Sequence, residues 1–92
     1  MNVRDTTRYR LEVVAILAHY QAIRHPLAFL FLAAVEEAHA RAVVSPLVFR
    51  EREDGVRVVL LRRFPYRLRF QFNENRRRLR VLSLTHVARK PE

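Results

Sequence analysis

The chain has 92 residues, half of them apolar, with no cysteine and a net charge of +9. That length suits one domain, 1–92, built on a single core, and the apolar share excludes a disordered chain. Without a thiol there is neither a disulfide framework nor thiolate chemistry, so a reducing, cytoplasmic setting is expected. Arg4, Asp5, Arg8 and Arg10 break up the start, so no secretory leader is expected either. The longest apolar run, Leu27 to Val35, is too short to cross a bilayer, and no membrane contact is expected.

Met1 to Arg4 reads as a short edge strand with Val3 its one strong β-former. Asp5, Thr6 and Thr7 are all suitable N-caps for a helix reaching about Arg24. Its residues (Leu11, Val13, Val14, Ile16, Leu17, Tyr20, Ile23) are apolar almost all round, so more than one side of it must be covered. Pro26 reads as the first residue of a second helix, with His25 held out of helical geometry before it. That helix runs to Val44 and stops before Ser45-Pro46. Leu27, Leu30, Phe31, Ala34, Val35, Ala38 and Ala42 form its core stripe. Phe29 and Leu32 lie off the stripe, one turn apart. They are candidates for contact with another chain, or they pack under the loop from Leu47 to Glu53.

The pattern then switches to period two. Asp54-Gly55 marks a turn before a strand from Val56 to Arg63, with Val56, Val58 and Leu60 on one face and Arg57, Val59 and Leu61 on the other. Pro65 breaks the chain before a second strand, in which Tyr66, Leu68, Phe70 and Phe72 alternate with Arg67, Arg69 and Gln71. After a turn at Asn73-Glu74-Asn75, a third strand spans Leu79 to Thr85. There Leu79/Val81 and Leu82/Leu84 compete for the inward face. The expected fold is α+β, β-α-α-β-β-β, with the helical hairpin on one face of a twisted, mainly antiparallel sheet.

Charge is placed unevenly: residues 1–46 carry a net of +1 and residues 47–92 a net of +8. Seventeen of the eighteen basic residues are arginine, which suits planar, bidentate recognition of phosphate or carboxylate and also fits an arginine-biased genome. Arg67 and Arg69, joined by Arg57, are expected on the face away from the helices. His19, His25 and His39 are not spaced as metal ligands, and no serine sits in a nucleophile motif, so no metal or cofactor is expected. Arg76-Arg77-Arg78 reads as a solvated turn, or as a phosphate or partner contact.

Three short motifs stand in order: Gly55-Val56-Arg57, Arg63-Phe64-Pro65-Tyr66, and His86-x-x-Arg89-x-Pro91. In this series the chain resembles the ParE/RelE superfamily, the toxins of type II toxin–antitoxin modules, also called plasmid stabilisation proteins. The helical hairpin with Tyr20 and the Val35-Glu36-Glu37-Ala38 stretch are similar as well. The resemblance implies growth inhibition and a hetero-oligomer with a cognate antitoxin; the surplus apolar helix surface and the +8 half point to an antitoxin C-terminal segment that is acidic and amphipathic, covering Phe29 and Leu32 or the exposed side of the first helix. Arg57, Arg67, His86 and Arg89 are expected to converge on the face away from the helices and, with Arg69, are the candidate target contacts. RelE-like members are ribosome-dependent mRNA endonucleases, and the strand positions of their lysine pair fall here on Val58 and Leu60. In a nuclease, Arg57, Arg67, His86 and Arg89 would have to supply the acid and the phosphate-stabilising charge. The Arg-Phe-Pro-Tyr corner and the His-x-x-Arg-x-Pro ending look more ParE-like, which implies a non-enzymatic poison of DNA gyrase. A basic nucleic-acid-binding module with neither activity is the remaining reading.

Overall fold

The computed structural model describes residues 1–88. Its elements follow the expected order: β1 (Asn2–Asp5), α1 (Thr7–Ile23), α2 (His25–Val44), β2 (Val56–Leu60), β3 (Tyr66–Asn73) and β4 (Arg78–His86), with a single 3-10 turn at Pro46–Val48. The strands form one sheet in the order β1-β4-β3-β2, antiparallel except where β1 runs parallel beside β4. Both helices lie over one face of this sheet, and among the described residues no helix is long and apolar enough to cross a membrane.

Local chemistry accounts for the boundaries. Thr6 caps α1, its hydroxyl accepting from the Tyr9 amide at 3.1 Å. At the other end Arg24, not His25, leaves helical geometry (φ −160°, ψ 133°), so α2 opens one residue earlier than expected, with Pro26 in its first turn where no amide partner is needed. Asp54 and Gly55 both have positive φ (52° and 75°) in the tight turn closed by the Val56 amide on the Glu53 carbonyl. A Cβ on Gly55 would sit 2.9 Å from the Phe72 carbonyl oxygen, so only glycine fits. β2 is shorter than expected, because Arg63 (φ 69°) turns the chain before Pro65.

Phe31, Val59, Leu68, Phe70, Leu79, Val81 and Leu84 are fully buried between helices and sheet. Burial of each such side chain contributes about 1.5–3 kcal/mol. Two expectations about the helices change. Leu30 leaves the core stripe and is half exposed, while Ala28 lies buried in its place. Of α1, only Tyr9 is fully buried; Val13, Ile16, Leu17 and Tyr20 pack at the edge of the core, and Leu11, Val14 and Ile23 stay in solvent. The chain itself therefore covers α1 on one side only.

The competition within β4 is resolved by a β-bulge. Pairing with β3 shifts between Arg69/Ser83 and Phe70/Val81, so Leu82 is an extra residue. The shift lets Leu79, Val81 and Leu84 all face the helices. β1 ends at Asp5, and the first turns of α1 take over at the β4 edge. The Thr6 amide donates to the Val81 carbonyl at 3.0 Å, and the Thr6 hydroxyl to the Leu82 carbonyl at 2.9 Å. The Glu12 carboxylate accepts from the Leu84 amide at 3.0 Å. Thr6→Ala removes the cap and the Leu82 bond together, and is expected to lower unfolding free energy by about 1–2 kcal/mol. Thr7→Ala, exposed beside it, is expected to stay within about 0.5 kcal/mol. Urea denaturation of the two variants checks the difference.

Candidate functional site

Sheet parity sorts the arginines. Cross-strand pairs place Arg67 opposite Leu60 and Thr85, Arg69 opposite Val58 and Ser83, Gln71 opposite Arg80, Asn73 opposite Arg78, and Arg4 beside Arg80. All these positions lie on the face away from the helices. That open face therefore holds five arginines: Arg4, Arg67, Arg69, Arg78 and Arg80. Along β2, the apolar strip Val56, Val58 and Leu60 borders them. Arg67 and Arg69 stand where expected. Arg4 and Arg80 had not been singled out, and Arg78, read with Arg76 and Arg77 as part of a turn, instead opens β4; Arg78 and Arg80 alternate with Leu79 and Val81, a period-two signal masked by the bulge.

Arg57 and His86 do not join them. Arg57 pairs with Phe70, on the same face as Val59 and Leu61, and its guanidinium turns under the loop before β2. There it donates to the Phe49 carbonyl and contacts Glu51 at 3.3 Å, its side chain only 12% exposed. It braces that loop, whose Phe49 packs edge-on against Phe70 at 5.9 Å. The expectation that Arg57 extends the outward row fails because its parity matches the core residues of β2. His86 pairs with Tyr66, on the helix side, and their rings meet at 5.4 Å. Its Nδ1 accepts from the Ala88 amide at 3.0 Å. Arg67, from the other face, donates to the Val87 carbonyl, so both approach the same turn without sharing a face. Arg89 lies outside the described residues.

The Phe64-Pro65-Tyr66 corner closes an aromatic cluster. Tyr20 lies 5.3 Å from Phe31, 5.3 Å from Phe64 and 6.4 Å from Tyr66. Pairs of this kind contribute about 0.5–1.5 kcal/mol beyond burial, so this motif anchors the fold, not the open face.

On the helical side, α1, α2 and β1 border an apolar groove of about 730 Å³ lined by Val13, Val14, Leu32, Val35 and Val43, with Asp5, Tyr9 and His39 at one edge. Asp5 and His39 are joined at 2.8 Å, tying β1 to α2. Leu32 thus lines the groove. Phe29 is 72% exposed, because the loop after α2 lies against the C-terminal half of that helix and leaves Phe29 open. Burial pushes the Tyr9 hydroxyl up to about 12, with the Asp5 and Glu36 charges adding to it. Tyr66 is pushed to about 12 by burial and by neighbouring Tyr20. Among the described residues no three of His, Asp and Glu gather as metal ligands would.

No family model and no curated relative matches the chain. Two solved structures are similar in fold. A chain of the chromosomal ParDE TA system from P. aeruginosa shares 23% identity, with a TM-score of 0.77, covering 95% of this chain and 96% of that one. A chain of the toxin-antitoxin complex RelBE2 from Mycobacterium tuberculosis shares 24%, with a TM-score of 0.60, covering 92% and 95%. The fold the resemblance implied is therefore the fold observed.

Arg57→Ala is expected to lower stability by about 1–3 kcal/mol, since it strips the Phe49 carbonyl of its donor and unpins the loop. Arg80→Ala, exposed on the open face, should stay within about 0.5 kcal/mol in the same denaturation assay. The tyrosines set a pH dependence. Because both phenols ionise above their ordinary value of 10 in the folded chain, their contribution is complete below pH 10 and is lost as pH climbs towards 12. The urea midpoint should hold at about pH 8 and fall at about pH 11, and Tyr9→Phe should blunt the fall.

Proposed function

We propose that the chain is the toxin of a type II toxin–antitoxin module, of the ParE kind, acting in the cytoplasm by binding DNA gyrase and held inactive by a co-encoded antitoxin. The observation that carries the ParE choice is the makeup of the open face. The positions where RelE-like relatives carry a lysine pair are Val58 and Leu60, and they flank Arg67 and Arg69 across the strands. Arginines beside an apolar strip suit docking to a protein. Cleavage of RNA needs a proton donor for the leaving oxygen, and the nearest candidate, His86, belongs to the other face. The higher TM-score to the ParDE chain supports the same choice.

The antitoxin follows from what the fold leaves uncovered. A partner segment with apolar side chains would fill the groove at Leu32 and cover Phe29, and an acidic stretch would mask the arginines of the sheet. Toxin and antitoxin would then form a hetero-oligomer.

Induced expression of the chain alone is expected to arrest bacterial growth, with relief on co-expression of the adjacent short reading frame. In vitro it should inhibit gyrase supercoiling and leave translated mRNA intact. Arg67→Ala with Arg69→Ala should raise the concentration needed for inhibition at least about tenfold, as loss of two charged contacts at an interface does. Translation-dependent mRNA cleavage would overturn the gyrase reading in favour of an endonuclease. Unimpeded growth would overturn the toxin reading as a whole.

A further inference from the structure

Among the described residues none of the five arginines of the open face has an acidic partner. Every ion pair among the described residues involves the helices or the loops: Arg8 with Glu12, His39 with Asp5, Arg41 and Arg62 with Glu37, and Arg57 with Glu51. Arg4, Arg67, Arg69, Arg78 and Arg80 have none. Arg69 meets only the buried Ser83 hydroxyl, at 3.3 Å, and Arg67 only a backbone carbonyl. No strand position of the face is a carboxylate. The nearest acids, Glu51, Asp54 and Glu74, gather at one end, in the turns beside Arg78.

The geometry is a grid. Arg78 and Arg80 are two residues apart on β4, Arg67 and Arg69 two apart on β3, and Arg4 lies next to Arg80 on β1. Two residues along a strand span about 7 Å and neighbouring strands lie about 4.8 Å apart, so the guanidinium stems repeat over a surface several phosphates wide. Between them stand Asn2, Gln71 and Thr85, polar and uncharged. The apolar strip of β2 stands beside Arg67 and Arg69, whereas Arg4, Arg78 and Arg80 have only one another, Asn2, Gln71 and Asn73 as cross-strand neighbours. An acidic protein segment gains affinity from apolar anchors set among the charges, whereas a phosphate backbone asks only for repeated charge. No aromatic side chain faces this side. Tyr66, Phe70 and Phe72 all alternate toward the helices, so unstacked bases find no platform.

We propose that the open face binds the phosphate backbone of double-stranded DNA, without sequence preference, through Arg4, Arg67, Arg69, Arg78 and Arg80. This is a property of the chain alone and holds or fails independently of growth arrest or gyrase inhibition.

Fluorescence anisotropy of a labelled duplex of about 20 base pairs tests it, alongside the single strand of equal length and a polyglutamate peptide. Duplex binding should weaken with salt at a logarithmic slope of about −4.5, five phosphates at about 0.9 each. It should not depend on duplex sequence. R78Q/R80Q should weaken binding at least about tenfold and lower the slope by about two. R10Q/R24Q removes the same charge from exposed positions on α1 and at the junction of the two helices, and should change affinity less than about twofold. Circular dichroism confirms that both variants keep the fold, as their exposure leads one to expect. Equal losses in the two double variants would overturn the proposal, because they would report net charge and no defined face. Tighter binding of the single strand would overturn it in favour of base contacts. Tighter binding of polyglutamate would overturn it in favour of an acidic protein ligand.

Discussion

The bulge at Leu82, and the way α1 completes it, is the constraint from which the rest of the molecule follows. β4 carries apolar residues at 79, 81, 82 and 84, which no single alternation can bury. One extra residue changes the parity midway, so Leu79 and Val81 before it and Leu84 after it reach the same core. The shift leaves backbone groups of β4 without a strand neighbour, because β1 ends at Asp5. A buried polar group left unpaired costs about 1–3 kcal/mol, and Thr6 and Glu12 remove that cost at three points. These bonds seat α1 on β4. They also hold the register that turns Arg78 and Arg80 to the open face, so packing on one side determines the charge on the other.

That dependence explains why arginines close in sequence do different work. Arg57 and Arg69 both sit in strands and both face a valine or phenylalanine neighbour across the sheet, yet one braces a loop and the other has no acidic partner. Arg57 occupies the first helix-side position of the edge strand, where a long stem can lie along the core and deliver its head to Phe49 and Glu51. Near the sheet's centre such burial would strand the charge. Arg69 shares its face with polar side chains, the other arginines and the apolar strip of β2, and it stays outward.

Much of this was legible in the residues. The Ser45-Pro46 stop, the Asp54-Gly55 turn and the alternation from Tyr66 to Phe72 are each dictated by local chemistry, and they stand within a residue or two of where they were expected. The helical hairpin on a sheet followed from the change of period. What stayed hidden was set by contacts distant in sequence. The inward face of β4 depended on a bulge that pairs with β3 and is completed from α1, some seventy residues away in the chain. Arg57 misled because charge suggested an outward position, while strand parity, shared with Val59 and Leu61, placed it inward. Leu30 misled because the buried stripe of α2 runs through Ala28, Phe31, Val35, Ala38 and Ala42, which turns Leu30 to the stripe's edge. The open face was therefore recognised from Arg67 and Arg69 but only half drawn, with Arg4, Arg78 and Arg80 missing from it.

The two sides of the domain make opposite demands on whatever contacts them. A chain this short cannot enclose all of an apolar half of its residues, and on the helical side the surplus includes Leu11, Val14, Phe29 and the groove beside Leu32. Among the described residues the other side presents five arginines and no carboxylate, the acids lying on the helices, in the turns and on the helix side of β1. A purely apolar partner would leave the arginines solvated and unmasked, and a purely anionic one would leave the groove open. One flexible segment, apolar in one stretch and acidic in another, can reach both, whereas a rigid anionic ligand meets the sheet alone. The separation of the two surfaces thus lets one kind of ligand compete for the basic face without also having to displace what fills the groove.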